Sequence, residues 1–296
     1  MRYLIYTLIL LLSLCLVGCN FDFDLSSCNP DDIKVISEFT YKESEKYNEY
    51  EDVVTIDEKV DKIEISWVSG EIEIVKGEVF SITEECLNGQ YYPLYWNLED
   101  GTIDIKYVKN GTSNSLLNDL KKKLVVTSPI DLDKIKYSGV SASISIELDQ
   151  VTTTDIDNVS GEINIKFKTS DKIDIDDVSG KTNLEIEEAG DIDIDSVSGE
   201  SNLILTKAES IDVNTISGDV LVELSDTKAL REIEIDTTSA DVVLKLDDER
   251  GYKLSFKTVS GKKNTEFSDG TNTSLSKFEI DVETISGDVT IEKLNK

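Results

Sequence analysis

A short step recurs through this chain: a β-branched residue, then Ser, then Gly or Ala. Its serines are Ser69, Ser141, Ser160, Ser179, Ser198, Ser217, Ser239, Ser260 and Ser286. From Ser141 onward the intervals are 19, 19, 19, 19, 22, 21 and 26 residues. A fixed period near this length marks a repeat architecture, in which each unit buries its apolar face only by stacking on the next.

The register extends well beyond the step. Five positions before the residue that precedes each Ser stand Ile135, Thr154, Ile173, Ile192, Ile211, Ile233, Leu254 and Ile280. Six positions after it stand Ile146, Ile165, Leu184, Leu203, Val222, Leu244, Thr265 and Ile291. Length varies in one place, between a long strand and the next short one. That connection is "KTSDK" in one unit and "SDTKALRE", "DDERGYK" or "SDGTNTSLSKFE" in others. Insertions confined to one corner, with strands that keep register, predict coils stacked along an axis. The expected fold is all-β: a parallel β-solenoid of β-helix type, of either hand, with rungs of about 19–22 residues and an irregular N-terminal β cap. A set of hairpins turning at Ser-Gly is the alternative. The solenoid is preferred because period-2 parity carries Val178, Gly180, Thr182, Leu184 and Ile186 to one side, straight through the step. On that parity Gly is required for its smallness and Ser points outward.

Four segments follow. Residues 1–18 read as a lipoprotein signal peptide, with Arg2 before an apolar run, Leu4 to Val17, too short to span a bilayer. Residues 19–54 read as a lipidated tether, 55–130 as an N-terminal β region with one repeat and a cap, and 131–296 as the solenoid. Leu16-Val17-Gly18-Cys19 resembles a lipobox, which makes Cys19 the acylated mature N-terminus, on the extracytoplasmic face of a membrane. Cys28 and Cys86 remain; in an oxidising compartment they form a disulfide or stay as two free thiols. In the cap, "SNSLLNDLKKKL" reads as a short helix with Lys121, Lys122 and Lys123 on its solvated surface, followed by a strand from "LVVTSP".

The chain carries 60 acidic against 30 basic residues, a formal charge of −30, so nucleic acid is excluded as a partner. Asp155, Asp174, Asp193, Asp212, Glu234 and Asp281 fall in one column. Asp157, Asp176, Asp195, Asp236 and Glu283 fall in a second, interrupted by Asn214. With strands about 4.8 Å apart, such columns suit either weak cation binding, by Asp155, Asp157, Asp174, Asp176, Asp193 and Asp195, or an acidic face that keeps a sheet soluble. No specific metal site and no cofactor are expected. Asn164, Asn183 and Asn202 align as an amide ladder.

The recurrent Ser has no His to take its proton, since the chain contains none, and recurs nine times where a nucleophile is single. A carbohydrate-active β-helix enzyme would need two carboxyls in different environments, and these are equivalent from rung to rung. A non-enzymatic role is expected. Tyr91, Tyr92, Tyr95 and Trp96 are candidates for stacking on a sugar or anchoring a protein; the other reading makes them the plug of the cap.

A lipobox followed by tandem strands, "VSGEI" at Val68 and Val159 and "ISGDV" at Ile216 and Ile285, resembles the bacterial DUF4097 family of β-strand repeat proteins. The resemblance covers about residues 55 to 296. It implies an adhesin-like binding or scaffold module of the cell envelope, the family's usual label, and transfers no catalytic residue. The alternative function is an envelope-stress or assembly component acting with a membrane-protein partner; wall polymer or protein is the expected ligand class.

Overall fold

The computed structural model describes residues 38–247, 252–266 and 278–294. The segment expected to be a signal peptide, Cys19 and Cys28 lie outside the described residues. Among those described, no helix is long and apolar enough to cross a membrane.

The array is a parallel β-solenoid with two stacks of strands per coil. In the first stack the spatial order runs from Thr102–Lys106 through the first half of Lys62–Lys76 to residues 134–138, then onward from residues 153–158. In the second stack, residues 69–75 pair with 141–147, and 144–150 pair with 163–169. The strand Leu132–Asn158 travels more than one full coil, so that Ser138 Oγ donates to Asp157 of its own strand at 3.3 Å. Inward residues of both stacks merge into one core, with Ile63, Ile135, Ile173, Ile192, Ile211 and Ile233 forming one fully buried column. Parallel pairing with a constant offset puts like residues over like, and the repeated columns of the sequence follow directly from it.

The Ser-Gly corner differs from the parity argument in one respect. Ile173, Ile175 and Asp177 are buried and so are Gly180, Thr182, Leu184 and Ile186, but Val178 is only half-buried. The inward parity therefore shifts by one at Val178-Ser179, where the chain bends. What makes the bend is a residue the repeat columns overlooked. Asn158, Asp177, Ser196, Thr215, Thr237 and Thr284, two positions before each Ser, are all buried. Most of them accept a hydrogen bond from the backbone N–H three residues on: Gly199 N to Ser196 Oγ at 3.0 Å, Gly218 N to Thr215 Oγ1 at 3.1 Å, Ala240 N to Thr237 Oγ1 at 3.0 Å, and Gly180 N to Asp177 Oδ2. This is the side-chain turn that Asx and Ser/Thr residues offer in place of ladder bonding.

Smallness at the glycine is required, though for a reason outside the core. A Cβ on Gly218 would lie 1.6 Å from the carbonyl oxygen of Gly199 in the adjacent rung. Two early corners, Gly70 and Gly161, do use positive φ, at 115° and 133°. The later ones do not.

Two rungs are stacked out of chain order. Glu232–Thr237 pairs with Phe278–Thr284, and Tyr252–Thr258 pairs with the other edge of that strand. Val242–Leu246 likewise pairs with Val289–Lys293, which in turn pairs with Lys263–Thr265. The last rung of the chain is thus inserted beneath the one before it. Composition accounts for the order. The inserted rung brings Phe278, Ile280, Val282, Val289 and Ile291, all buried, whereas the outer rung offers Lys263 and Thr265 in the corresponding columns of the second stack.

The opposite end is closed by antiparallel strands. Phe80–Asn88 pairs antiparallel with Lys121–Ser128, and Tyr95–Glu99 with Thr102–Lys106. Val54–Ile56 and Asn48–Glu49 then pair with Phe80–Asn88 and Tyr95–Glu99. The cap so begins earlier than the tether boundary at residue 54 implied, since Glu38–Phe39 also pairs, with Thr112–Ser113. The helix expected in "SNSLLNDLKKKL" does not form. A single 3-10 turn, Asn114–Leu116, gives way to the strand Lys121–Ser128. Pairing with both Lys62–Lys76 and Phe80–Asn88 claims those lysines for a sheet.

Candidate functional site

From Ser141 onward each corner serine donates its hydroxyl to a backbone carbonyl of the adjacent rung. Ser179 donates both its N–H, at 3.0 Å, and its hydroxyl, at 3.1 Å, to the carbonyl of Val159 in the adjacent rung. Ser160, Ser198 and Ser217 repeat this on Val140, Val178 and Val197. The serines form the outward hydroxyl column that the repeat predicts, and a hydroxyl donating to a backbone carbonyl is not poised as a nucleophile.

The carboxylate columns exist in register. Asp155, Asp174, Asp193, Asp212, Glu234 and Asp281 are successive partners, and so are Asp157, Asp176, Asp195, Asn214, Asp236 and Glu283. The structure brings all six residues named as weak cation ligands onto this one face. Lysines bracket it. At one end Lys134 and Lys136 reach Asp155 at 3.1 and 3.2 Å. At the other, Lys253 meets Glu279 at 3.0 Å and Lys257 meets Glu283.

Protonation follows the bracketing. Burial pushes Asp155 up, but the two ammonium groups outweigh it and hold the carboxyl below its usual range. Mid-ladder, Lys172 meets Asp174 at 2.8 Å, but on Asp176 and Asp212 burial and then the neighbouring carboxylates prevail and push both up to about 7. Burial also raises Asp157, Asp193 and Asp195. Among the described residues no group of three or more Cys, Asp or Glu side chains is arranged to hold a metal ion. What the face offers is a stack of carboxyl groups whose charge is weakened mid-ladder by protonation.

The amide ladder lies on the other outer face: Asn183 Nδ2 donates to Asn164 Oδ1 at 2.8 Å and Asn202 Nδ2 to Asn183 Oδ1 at 3.2 Å. Along the edge of that face runs a groove of about 540 Å³, lined by the buried Leu148, Phe167 and Ile186 and the exposed Ile204. Its rim charges satisfy one another, Asp149 accepting from Lys168 at 2.6 Å and from Lys76.

The aromatic stretch is dispersed by the cap. Tyr95 is buried and Tyr92 and Trp96 are half-buried, which leaves Tyr91 as the exposed ring of the four. Tyr95 donates its hydroxyl to Glu49 and Tyr91 to Glu84, the latter at 2.8 Å. Tyr92, Tyr95 and Trp96 serve as packing of the cap. Cys86 lies on Phe80–Asn88, half-buried, with Lys122 as its register partner.

Lys122 is the residue that sequence reasoning placed furthest from its true environment. Its side chain is wholly buried and ion-paired with Glu84, itself buried. Its Nζ stands 4.8 Å from the Trp67 ring centroid and 4.4 Å from that of Tyr107, and it donates to the carbonyls of Tyr107 and, at 3.1 Å, of Tyr92. Burial lowers its pKa to about 8 despite the Glu84 carboxylate. Three adjacent lysines alternate on a strand, so the middle one must face opposite to its neighbours. That period-2 signal was present in the sequence.

The profile of the family described as Toastrack DUF4097 matches residues 46–292. The chain belongs to the DUF4097 family. No curated protein matches it in sequence. Among solved structures, a "putative adhesin" from Bacteroides fragilis is similar at 16% identity, covering 84% of this chain and 96% of that one, with a TM-score of 0.37. One from Parabacteroides merdae shows 11% identity, 84% and 97% coverage and a TM-score of 0.42. A "putative lipid binding protein" from Parabacteroides distasonis shows 14% identity, 84% and 96% coverage and a TM-score of 0.45. This DUF4097 chain is all-β, as that family's β-strand repeats imply.

Proposed function

We propose that this DUF4097 protein is an extracytoplasmic envelope lipoprotein, anchored through Cys19, whose solenoid is a non-enzymatic, adhesin-like binding or scaffold module. The observation that carries the reading is the equivalence of its faces. The hydroxyl and carboxylate columns set the same residue types in register over successive rungs, while the charge state of the carboxylates varies along the stack. Catalysis needs one constellation unlike its neighbours, and recognition of an extended partner does not.

The test uses the full chain in its own envelope. Metabolic labelling with a fatty-acid analogue should mark the wild type and leave Cys19→Ser unmarked. Crosslinking of the anchored protein should then recover wall or glycan material. Recovery of a single membrane protein in its place would favour the assembly-component reading, and labelling of Cys19→Ser equal to wild type would remove the anchor.

A further inference from the structure

We infer that the corner of the cap where the tether enters is the face that lies against the lipid surface; the inference rests on the lipid-anchor reading above. Three large apolar side chains gather there in the open: Leu87 is 44% exposed, Tyr91 46% and Leu116 52%. Backbone contacts tie their segments into one corner. Asn88 pairs with Lys121, and Gly89 sits against the backbone of Asp119 and Leu120, so close that a Cβ would fall 2.7 Å from the Asp119 carbonyl oxygen. Asn114, Leu117 and Leu120 follow one another in tight turns, with N–H to carbonyl distances of 3.0 and 3.1 Å, and carry Leu116 to the same place. Scattered apolar residues on a surface need no explanation, but three that converge do.

The location of the chain's entry says what covers them. Glu38 pairs with Ser113 and Phe39 with Thr112, so the first described residues stand immediately before the turn that bears Leu116. The 19 residues from Cys19 to Glu38 can span at most about 65 Å even when fully extended. Of the described surface, this corner is where the chain arriving from Cys19 enters the fold. Charge permits the approach. The acidic columns line the array, whereas the exposed charges around the corner are of mixed sign, Lys109 and Lys121 with Glu38, Glu85 and Asp119. A lipid surface accepts Leu and Tyr at its interface and repels carboxylates when it is anionic.

The test places a tryptophan at the corner and another at the far end of the solenoid, on the full acylated chain in phosphatidylcholine vesicles with brominated acyl chains. Leu116→Trp is an exposed substitution, and Val259→Trp replaces a residue 82% exposed at the other end. The native Trp67 and Trp96 contribute equally to both. Leu116→Trp should lose emission to the bromolipid and Val259→Trp should not. Equal quenching of the two, in protein that floats with the vesicles, overturns the inference and leaves the anchor standing. Protein that fails to float overturns the anchor, and the inference with it.

Discussion

Asp176 shows how a single residue records the architecture around it. An isolated aspartate beside water would titrate near 3.8, but burial and the stacked Asp195 and Asp157 move this one to about 7, and Asp212 likewise. The sign of the linkage follows. A carboxyl whose folded pKa is raised binds its proton more tightly in the native state, so its contribution to stability is full below about pH 4 and is lost as pH rises through about 7. The unfolding midpoint should therefore rise on acidification from pH 8 to pH 5. Asp176→Asn removes the repulsion without removing the side chain. After discounting for partial exposure and screening, it should stabilise the protein at pH 8 by roughly 1 kcal/mol and have little effect at pH 5. Denaturant unfolding at the two pH values checks this; a variant equally stabilised, or destabilised, at both would refute the ladder as the source of the shift.

Among elements, the cap shows where a sequence stops being legible. The rungs were readable because their columns recur and each recurrence tests the last; Ile173, Asp174 and Asn183 stand where counting places them. The turn residues Thr215 and Ser196 could have been found the same way, since Asn, Asp, Ser or Thr precedes nearly every Ser-Gly step by the same interval. The cap has no repeat to average over. Its order depends on non-local pairing, and Lys122 is buried only because Trp67, Glu84 and Tyr107 arrive from three other segments. Lys122→Met would strand the Glu84 carboxylate, which also accepts from Leu94 N at 3.1 Å, inside the cap. Breaking one partner of a buried pair costs about 3–5 kcal/mol, whereas Lys121→Met on the exposed face should cost under about 0.5 kcal/mol. Urea midpoints of the two variants decide the matter, and similar midpoints would return Lys122 to the surface.

For the whole molecule, the decisive feature is that spatial order departs from chain order at the end farthest from the cap. A solenoid needs its most apolar coils inside and its most polar one at the end, because an end coil has one face without a neighbour. Residues 252–266 carry Lys263 and Thr265 where the adjacent rungs carry Val289, Val242, Ile291 and Leu244, so placing them last closes the second stack with polar side chains, while Tyr252, Leu254 and Phe256 stay half-buried on the first. It also sets Lys253 and Lys257 over Glu279 and Glu283, ending the acidic ladder in opposite charge. Sequential stacking would leave Ile291 at the open end and bury Lys263. The two orders make opposite predictions for crosslinking. Glu234 faces Asp281 in register, and Asp281 in turn faces Ser255. Neighbouring parallel strands bring opposed Cα atoms to about 4.8 Å, within reach of a disulfide, while a strand one place further is about twice as far. Glu234→Cys with Asp281→Cys should therefore oxidise to an intramolecular disulfide, and Glu234→Cys with Ser255→Cys should not. The reverse result, read by mobility shift and peptide mapping, would restore chain order to the stack.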